Sequence, residues 1–357
     1  MKLIALKDVC KINMGQSPNS SSYNDYGDGM PFFQGNADFG ERYPITRVWC
    51  NTPTKIAQAE DILISVRAPI GALNYAKEEC CIGRGLAAIT PDRNKVSQDF
   101  IYWALKGKKA ELNDKGNGST FKAISRKVLE ETMIPDINFE QQHKCAENLE
   151  KIYGIIQNRR KELLALDDLI KARFVEMFGD PIINSKHLET KELKDILILK
   201  AGDFTAASDI ADEPSEFNPY PCYGGNGIRG YVVEYNQEGE YSLVGRQGAL
   251  SGNVQFASGK FKNTEHALLV TPIVEMNCIW LNQLLVNLDL KRYQTGAAQP
   301  GLSVKNLQEI KILCVSIDEQ KAFADFVRQV DKSKVAVQKA LDETQTLFDS
   351  LMQEYFG

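Results

Sequence analysis

The tetrapeptide Phe139-Glu140-Gln141-Gln142 returns as Asp318-Glu319-Gln320-Lys321, and Met177-Phe178-Gly179 returns as Tyr355-Phe356-Gly357, at offsets of 179 and 178. Working outward from these two points, Gly118 with Ser125 recurs as Gly296 with Ser303 (offset 178). Arg67 recurs as Arg246 (179), and Leu6-Lys7-Asp8 as Leu193-Lys194-Asp195 (187), the drift marking a small insertion. A period near 180 in 357 residues is the signature of a duplicated domain, because solenoid repeats are several times shorter.

Each half closes on a long proline-free stretch of helical periodicity. In the first, Cys145, Leu149, Ile152, Ile156, Leu163, Leu166, Ile170 and Met177 follow steps of four and three, broken only at Arg159 and Arg173. In the second, Phe323, Phe326, Val330, Val337, Ala340, Thr344, Leu347 and Leu351 keep that rhythm, with Ser333 as the weak position. Apolar residues at this spacing make a seam that two helices can share. Pro135-Asp136 and Ser316-Ile317-Asp318 supply the entries, with early acids, and Gly179-Asp180-Pro181 stops the first helix. Ahead of each helix lie short β-like runs and glycine turns. Asp61 to Arg67 and Glu240 to Arg246 read as corresponding strands, each delivering an Arg into a glycine-containing turn. The expected architecture is therefore α+β: two similar domains, 1–135 and 181–317, related by internal pseudo-twofold duplication. Two long helical spacers, 136–180 and 318–357, pair as an antiparallel coiled coil.

Composition limits the function. The chain is 43% hydrophobic and 25% charged, as an ordinary globular protein is. No stretch reaches the roughly 18 uncharged apolar residues of a membrane helix, and the opening Met1-Lys2-Leu3-Ile4 is charged too soon for a signal peptide, so a cytoplasmic protein is expected. Cys10, Cys50, Cys80, Cys81, Cys145, Cys222, Cys278 and Cys314 show no C-x-x-C spacing and read as small core residues. With only His143, His187 and His266 available, neither a zinc site nor a histidine triad is expected.

Several motifs tempt and fail. Gly225-Asn226-Gly227-Ile228-Arg229-Gly230 fits G-x-G-x-x-G, but a dinucleotide site needs a strand before it and a helix after it. Pro219 and Pro221 precede it and the β-like Tyr231-Val232-Val233 follows, so a tight hairpin is expected instead. Phe217-Asn218-Pro219-Tyr220 lacks the second proline of an aminomethylating Asn-Pro-Pro-aromatic element, and no phosphate loop or acid-x-Lys nuclease signature is present. No metal, nucleotide or methyl-donor cofactor is expected on this chain, and no catalytic residue.

The formal charge of −5 does not announce a polyanion binder, yet residues 1–135 alone carry a net +3. Within them Lys106, Lys108, Lys109, Lys115, Lys122, Arg126 and Lys127 form a dense basic stretch able to follow a phosphate backbone. Two recognition domains on rigid rods would suit duplex DNA, whose grooves repeat every 34 to 36 Å.

In order, Tyr223 to Tyr231, Leu243-Val244-Gly245-Arg246-Gln247-Gly248, Thr295 to Ser303 and Ile317-Asp318-Glu319-Gln320 resemble the DNA specificity subunit of type I restriction-modification systems. Weaker counterparts in the first half are Gln34-Gly35-Asn36, Val66 to Gly71, Gly118-Ser119-Thr120 with Ile124-Ser125, and Ile134-Pro135 through Gln142. The resemblance covers essentially the whole chain, although the first domain lacks the full Tyr-Gly-Gly-Asn-Gly run. It implies two target recognition domains, each reading half of a split DNA site. It also implies helices that dock two adenine methyltransferase subunits, and restriction/translocase subunits where the complex has them. S-adenosylmethionine, ATP and Mg would be held by those partners, and the output would be DNA methylation in host defence.

A base reader needs Arg for guanine, Asn or Gln for adenine, and Lys, Ser or Thr for phosphates. Candidates for DNA contact are Gln34, Asn36, Arg67, Arg84, Ser119, Thr120 and Lys122 in the first domain, and Asn226, Arg229, Arg246, Gln247, Gln299 and Ser303 in the second. Candidates for the helix seam and partner docking are Leu149, Ile152, Ile156, Leu163, Ile170, Phe323, Phe326, Val330, Val337, Leu347 and Leu351. The rival reading is a non-catalytic coiled-coil scaffold whose domains bind proteins, which the acidic net charge favours modestly.

Overall fold

The computed structural model describes residues 2–117, 122–248, 250–296 and 301–357. The chain folds into two compact units, Met1–Arg159 with Ala340–Gly357, and Arg160–Lys339.

In the first unit Leu3–Ala5 pairs antiparallel with Met133–Pro135, tying the domain's first strand to the entry of the first long helix. Among the described residues one sheet runs Cys10–Met14, Leu86–Pro91, Ile62–Ser65, Leu73–Tyr75 in spatial order. A second runs Tyr23–Asn24, Trp49–Cys50, Met30–Phe33, Cys80–Ile82, Ile56–Ala57. Ile62, Leu63 and Ile64 are wholly buried, as a short continuous apolar run should be when both faces are covered.

The second unit repeats the pattern: Leu197–Ala201, Ala267–Pro272, Gln237–Gly245, Val254–Asn263, continued by Tyr220–Gly224 and Gly227–Val232. Here the ten-residue strand Val254–Asn263 does alone what Leu73–Tyr75 and Cys80–Ile82 do in two pieces in the first unit. The expected hairpin is present, with Gly224 opposite Gly227 and Gly225-Asn226 at its tip. Six of the eight cysteines are buried, and burial pushes the Cys10, Cys80 and Cys145 thiols up to about 12.

The long helices are Phe139–Phe178 and Ile317–Phe356, 40 residues each, hence about 60 Å long. Each starts with reciprocal side-chain caps. Asn138 Oδ1 accepts the Gln141 N–H (2.9 Å) while Gln141 Oε1 accepts the Asn138 N–H, and Ser316 with Glu319 does the same. The entry cap of the first helix is thus Asn138. One turn on, a buried glutamine locks each helix to its domain. Gln142 Oε1 accepts the Ser97 N–H (2.7 Å) and its Nε2 donates to Ile137 O, while Gln320 Oε1 accepts the Asn277 N–H (2.8 Å) and its Nε2 donates to Val315 O. Ser97 and Asn277 cap the helices Gln98–Gly107 and Cys278–Asn287, which carry the fully buried Trp103 and Trp280. The Gln142–Gln320 match fixes the repeat at 178 here, one residue from the offset that the tetrapeptides suggest.

Within each unit rising residue numbers on the first long helix meet falling numbers on the second. Asn148 reaches Tyr355 and Tyr153 meets Phe348 in the first unit, and Asp167 pairs with Lys334 and Phe174 with Phe323 in the second. Antiparallel pairing is thus seen in both. Leu149, Ile156, Ile170, Phe323 and Val330 are buried, and Ile152, Leu163, Phe326, Val337 and Leu351 are half-buried.

Leu347 departs from the expected seam. It is 51% exposed, and Phe348 (7%) faces inward instead, its ring 5.7 Å from that of Trp103. Phe178, at 1% exposure, likewise takes the place expected for the half-buried Met177. A strict seven-residue stripe drifts by about 20° per heptad on a straight helix. At these ends the buried face has turned onto the domain's tryptophan helix: Phe356 packs on Phe100, and Phe178 on Trp280 and Phe323.

Candidate nucleic-acid interface

In the first unit the strand Ile62–Ser65 runs out into Val66-Arg67-Ala68 at a rim built from four separate segments. The Val66 N–H donates to Gly85 O (2.9 Å), the Ile124 N–H to Val66 O (2.9 Å) and the Ala68 N–H to Lys122 O (3.1 Å), and Arg67 faces Ala123 in a β-bridge. The Gly85 N–H donates to Gln34 O, Gln34 Nε2 donates to Ser17 Oγ (3.0 Å), and the same hydroxyl accepts the Arg84 N–H (3.2 Å). Gln34, Arg67, Arg84 and Lys122 therefore share one rim. A Cβ on Gly85 would stand 2.5 Å from Gln34 O, so glycine is required for this approach. Asn36 opens the short turn Asn36–Asp38 beside them, steadied by the Asp38 carboxylate, which accepts the Gln34 N–H (2.7 Å).

The second unit builds the corresponding rim. The Arg246 N–H donates to His266 O (2.9 Å), the Leu302 N–H donates to Arg246 O (2.8 Å), and Gln247 faces Gly301 in a β-bridge. The Gly225-Asn226 hairpin tip lies against this run, since a Cβ on Gly245 would stand 2.3 Å from Gly225 O. Asn226 Oδ1 accepts from Asn253 Nδ2 (2.8 Å), and the stem of the exposed Arg229 covers Gly224. Ser303 is set apart, because its hydroxyl accepts the Asn306 N–H (3.1 Å) and caps the helix Val304–Gln308. Ser119, Thr120 and Gln299 lie outside the described residues.

Charge pairing separates the rim cations from most of the basic stretch. Of the basic stretch, Lys108 and Lys115 pair with Glu111, Arg126 with Glu130 and Lys127 with Glu131, while Lys106 Nζ sits 3.8 Å over the Tyr153 ring. Most of that stretch is thus an ion-paired helical surface, not a phosphate track. Arg67, Arg84, Lys122, Arg229 and Arg246 form no ion pair among the described residues. Unpaired cations converging on one edge are what a polyanion site needs. Behind the second rim, burial raises the Cys222 thiol, and the positive charges of Arg229 and Lys262 oppose it.

Three contributors escape the sequence reading. Ser17 orients Gln34, Asn253 holds Asn226, and Glu265, whose carboxylate accepts the Thr205 N–H and lies 3.1 Å from His266 Nε2, stands where the first unit has Arg84. Gly15 and Gly202 share the offset of 187 already marked by Leu6-Lys7-Asp8, but that offset sets Ser17 against Phe204, so the repeat does not single Ser17 out. Asn253 and Glu265 have no counterpart of like chemistry at the matching position.

A duplicated α+β domain that presents amides and unpaired cations on the same edge of each copy defines a two-site recognition protein. The family whose description reads type I restriction modification DNA specificity domain matches residues 1–166 and 185–344, and the chain belongs to that family. Among curated proteins it is 47% identical over 152 residues to the MjaX type I restriction enzyme specificity subunit of Methanocaldococcus jannaschii, covering 43% of this chain and 36% of that one. It is 40% identical over 158 residues to the EcoprrI specificity subunit of Escherichia coli, covering 43% of this chain and 39% of that one. The chain thus spans well under half the length of these two relatives. The crystal structure of a type I restriction-modification S subunit from M. genitalium matches 100% of this chain and 96% of its own at a TM-score of 0.66 and 18% identity, a likeness of fold. No helix among the described residues is long and apolar enough to cross a membrane.

Proposed function

We propose that this chain is the sequence-reading subunit of a type I restriction-modification complex, working in the cytoplasm on double-stranded DNA. Residues 1–135 and 181–317 would each read one half of a split target, and the spacers 136–180 and 318–357 would hold two adenine methyltransferase subunits, with restriction and translocation subunits joining them. Chemistry would belong to the partners, which would carry S-adenosylmethionine, ATP and Mg, while this chain supplies register and base choice without a catalytic residue of its own. The observation that supports this most is the convergence of unpaired Arg67, Arg84 and Lys122 on one rim and Arg229 and Arg246 on the other, while Lys108, Lys115, Arg126 and Lys127 of the nearby basic stretch are paired with acids. Gln34, Asn36, Asn226 and Gln247 stand among them with amides suited to adenine edges. Ser119, Thr120 and Gln299 belong to the same proposal by sequence position.

The test compares adenine-methylation maps of the source cell with the gene intact and deleted, then titrates the co-purified complex with the motif that disappears. One split motif with two unlike halves should vanish, and binding of its duplex should fall steeply with salt, log K against log salt having a slope of about −0.9 per phosphate contact. An unchanged map together with salt-independent binding would overturn the reading in favour of a protein scaffold.

A further inference from the structure

Sequence spacing pairs Arg67 with Arg246, but the backbone does not. In the first unit the Ser65 N–H donates to Ala72 O and Ser65 O accepts the Gly71 N–H; in the second the Gly245 N–H donates to Asn253 O and Gly245 O accepts the Gly252 N–H. Ser65 and Gly245 are thus the same position. One residue on, Val66 bonds Gly85 and Ile124 as Arg246 bonds His266 and Leu302. One further, Arg67 bridges to Ala123 as Gln247 bridges to Gly301. Val66 is 3% exposed, and its equivalent Arg246 is half-buried; Arg67 and Gln247 are both exposed, with no hydrogen bond or ion pair among the described residues. Successive side chains of an extended run point to opposite sides, so it is the Arg67–Gln247 position that faces outward in both copies.

Resting on the function proposed above, we infer that Arg67 and Gln247 are one base-reading position of the duplicated domain and that it sets the two half-sites apart. Arg67 takes a guanine in one half, and Gln247 takes an adenine in the other. The chemistry follows from the donors: the guanidinium fork matches guanine O6 and N7, while a carboxamide both accepts from adenine N6 and donates to N7. Arg246 then acts from a more interior place as support, not as the partner of Arg67.

The experiment uses the complex co-purified with its methyltransferase subunits, carrying Arg67→Gln, Gln247→Arg or Arg67→Lys, against duplexes with each base pair of the split motif varied singly. Gln247→Arg should move one position of one half from A·T to G·C preference by about tenfold or more, and Arg67→Gln should make the reverse change in the other half. Arg67→Lys keeps the charge but loses the fork, so it should lose discrimination at that position while keeping the salt slope. All other positions, co-purification and thermal melting should be unchanged. If either swap weakens every duplex alike and changes the salt slope by about one, or leaves every preference intact, the position is a phosphate contact or a bystander and the inference is overturned. If the wild-type complex reads no split motif at all, the proposed function falls first, and this inference with it.

Discussion

The two rims share a backbone and differ in chemistry. Where the first has Arg67 and Arg84, the second has Gln247 and Glu265, and each rim steadies a different amide, Ser17 holding Gln34 in the first and Asn253 holding Asn226 in the second. Equivalent carbonyls and amides make equivalent bonds in both, down to the paired bridges at Ala123 and Gly301. Duplication has preserved what holds the edge in place and varied what the edge displays. On the function proposed above, this is the division of labour that would let one scaffold read two different sequences.

The scaffold half of that comparison can be broken most severely at the phenylalanines that end the long helices. Phe178 is 1% exposed and touches the rings of Phe174, Trp280 and Phe323, whereas Phe356 packs across the domain on Phe100. Phe178→Ala should cost about 3–5 kcal/mol by removing a buried ring and leaving a cavity. Phe356→Ala should cost less, because fewer rings lose a neighbour. Hydrogen exchange during urea titration should place the first loss in Arg160–Lys339 and the second in Met1–Arg159. Losses in the opposite units would break the equivalence, and equal losses would show that the number of ring neighbours does not set the cost.

A smaller and more symmetrical effect is expected at Gln142 and Gln320. Each accepts the N–H of a helix-capping residue at 2.7–2.8 Å while nearly fully buried. Replacing either with Leu keeps the bulk but strands that N–H, at about 1–3 kcal/mol. The same exchange measurement should return similar values for the two variants, and a clear difference between them would show that the repeated motif does different work in its two copies.

Much of this architecture was legible because it rests on local chemistry. Steps of four and three along 40 residues, a glutamine one turn inside each helix, and glycines after a buried strand are patterns that short-range physics writes into a sequence. Register was not legible. A constant spacing pairs Arg67 with Arg246, like with like, and only the hydrogen bonds of Ser65 and Gly245 reveal that a valine stands opposite that arginine. Leu347 failed for a related reason: the stripe that serves a straight seam drifts where the helix must also meet Trp103, and Phe348 is the residue that turns inward. The basic stretch from Lys106 to Lys127 misled because its acids, Glu111, Glu130 and Glu131, are interleaved at helical spacing and neutralise it.

The display half of the comparison is sharpened by the Arg84–Glu265 pair, where the smallest energies carry opposite signs. Thr264 and Gly83 donate their N–H groups to Tyr223 and Phe33, so the residues that follow them, Glu265 and Arg84, occupy the same place with opposite charge. Arg84 is exposed and forms no ion pair among the described residues, so Arg84→Ala should leave stability within about 0.5 kcal/mol of wild type. On DNA it should weaken all duplexes alike and make the salt slope shallower by about one unit, as loss of one phosphate contact does. Glu265→Ala removes a negative charge from the same kind of rim. It should tighten binding to random duplex, at a slight cost in the second unit because the Thr205 N–H loses its acceptor. Fluorescence anisotropy of the assembled complex at several salt concentrations reads both. Should Glu265→Ala instead relax a single base position while random-sequence affinity stays put, Glu265 accepts from a cytosine amino group. The second rim would then be distinguished by its own base contact and not by weaker attraction to the backbone.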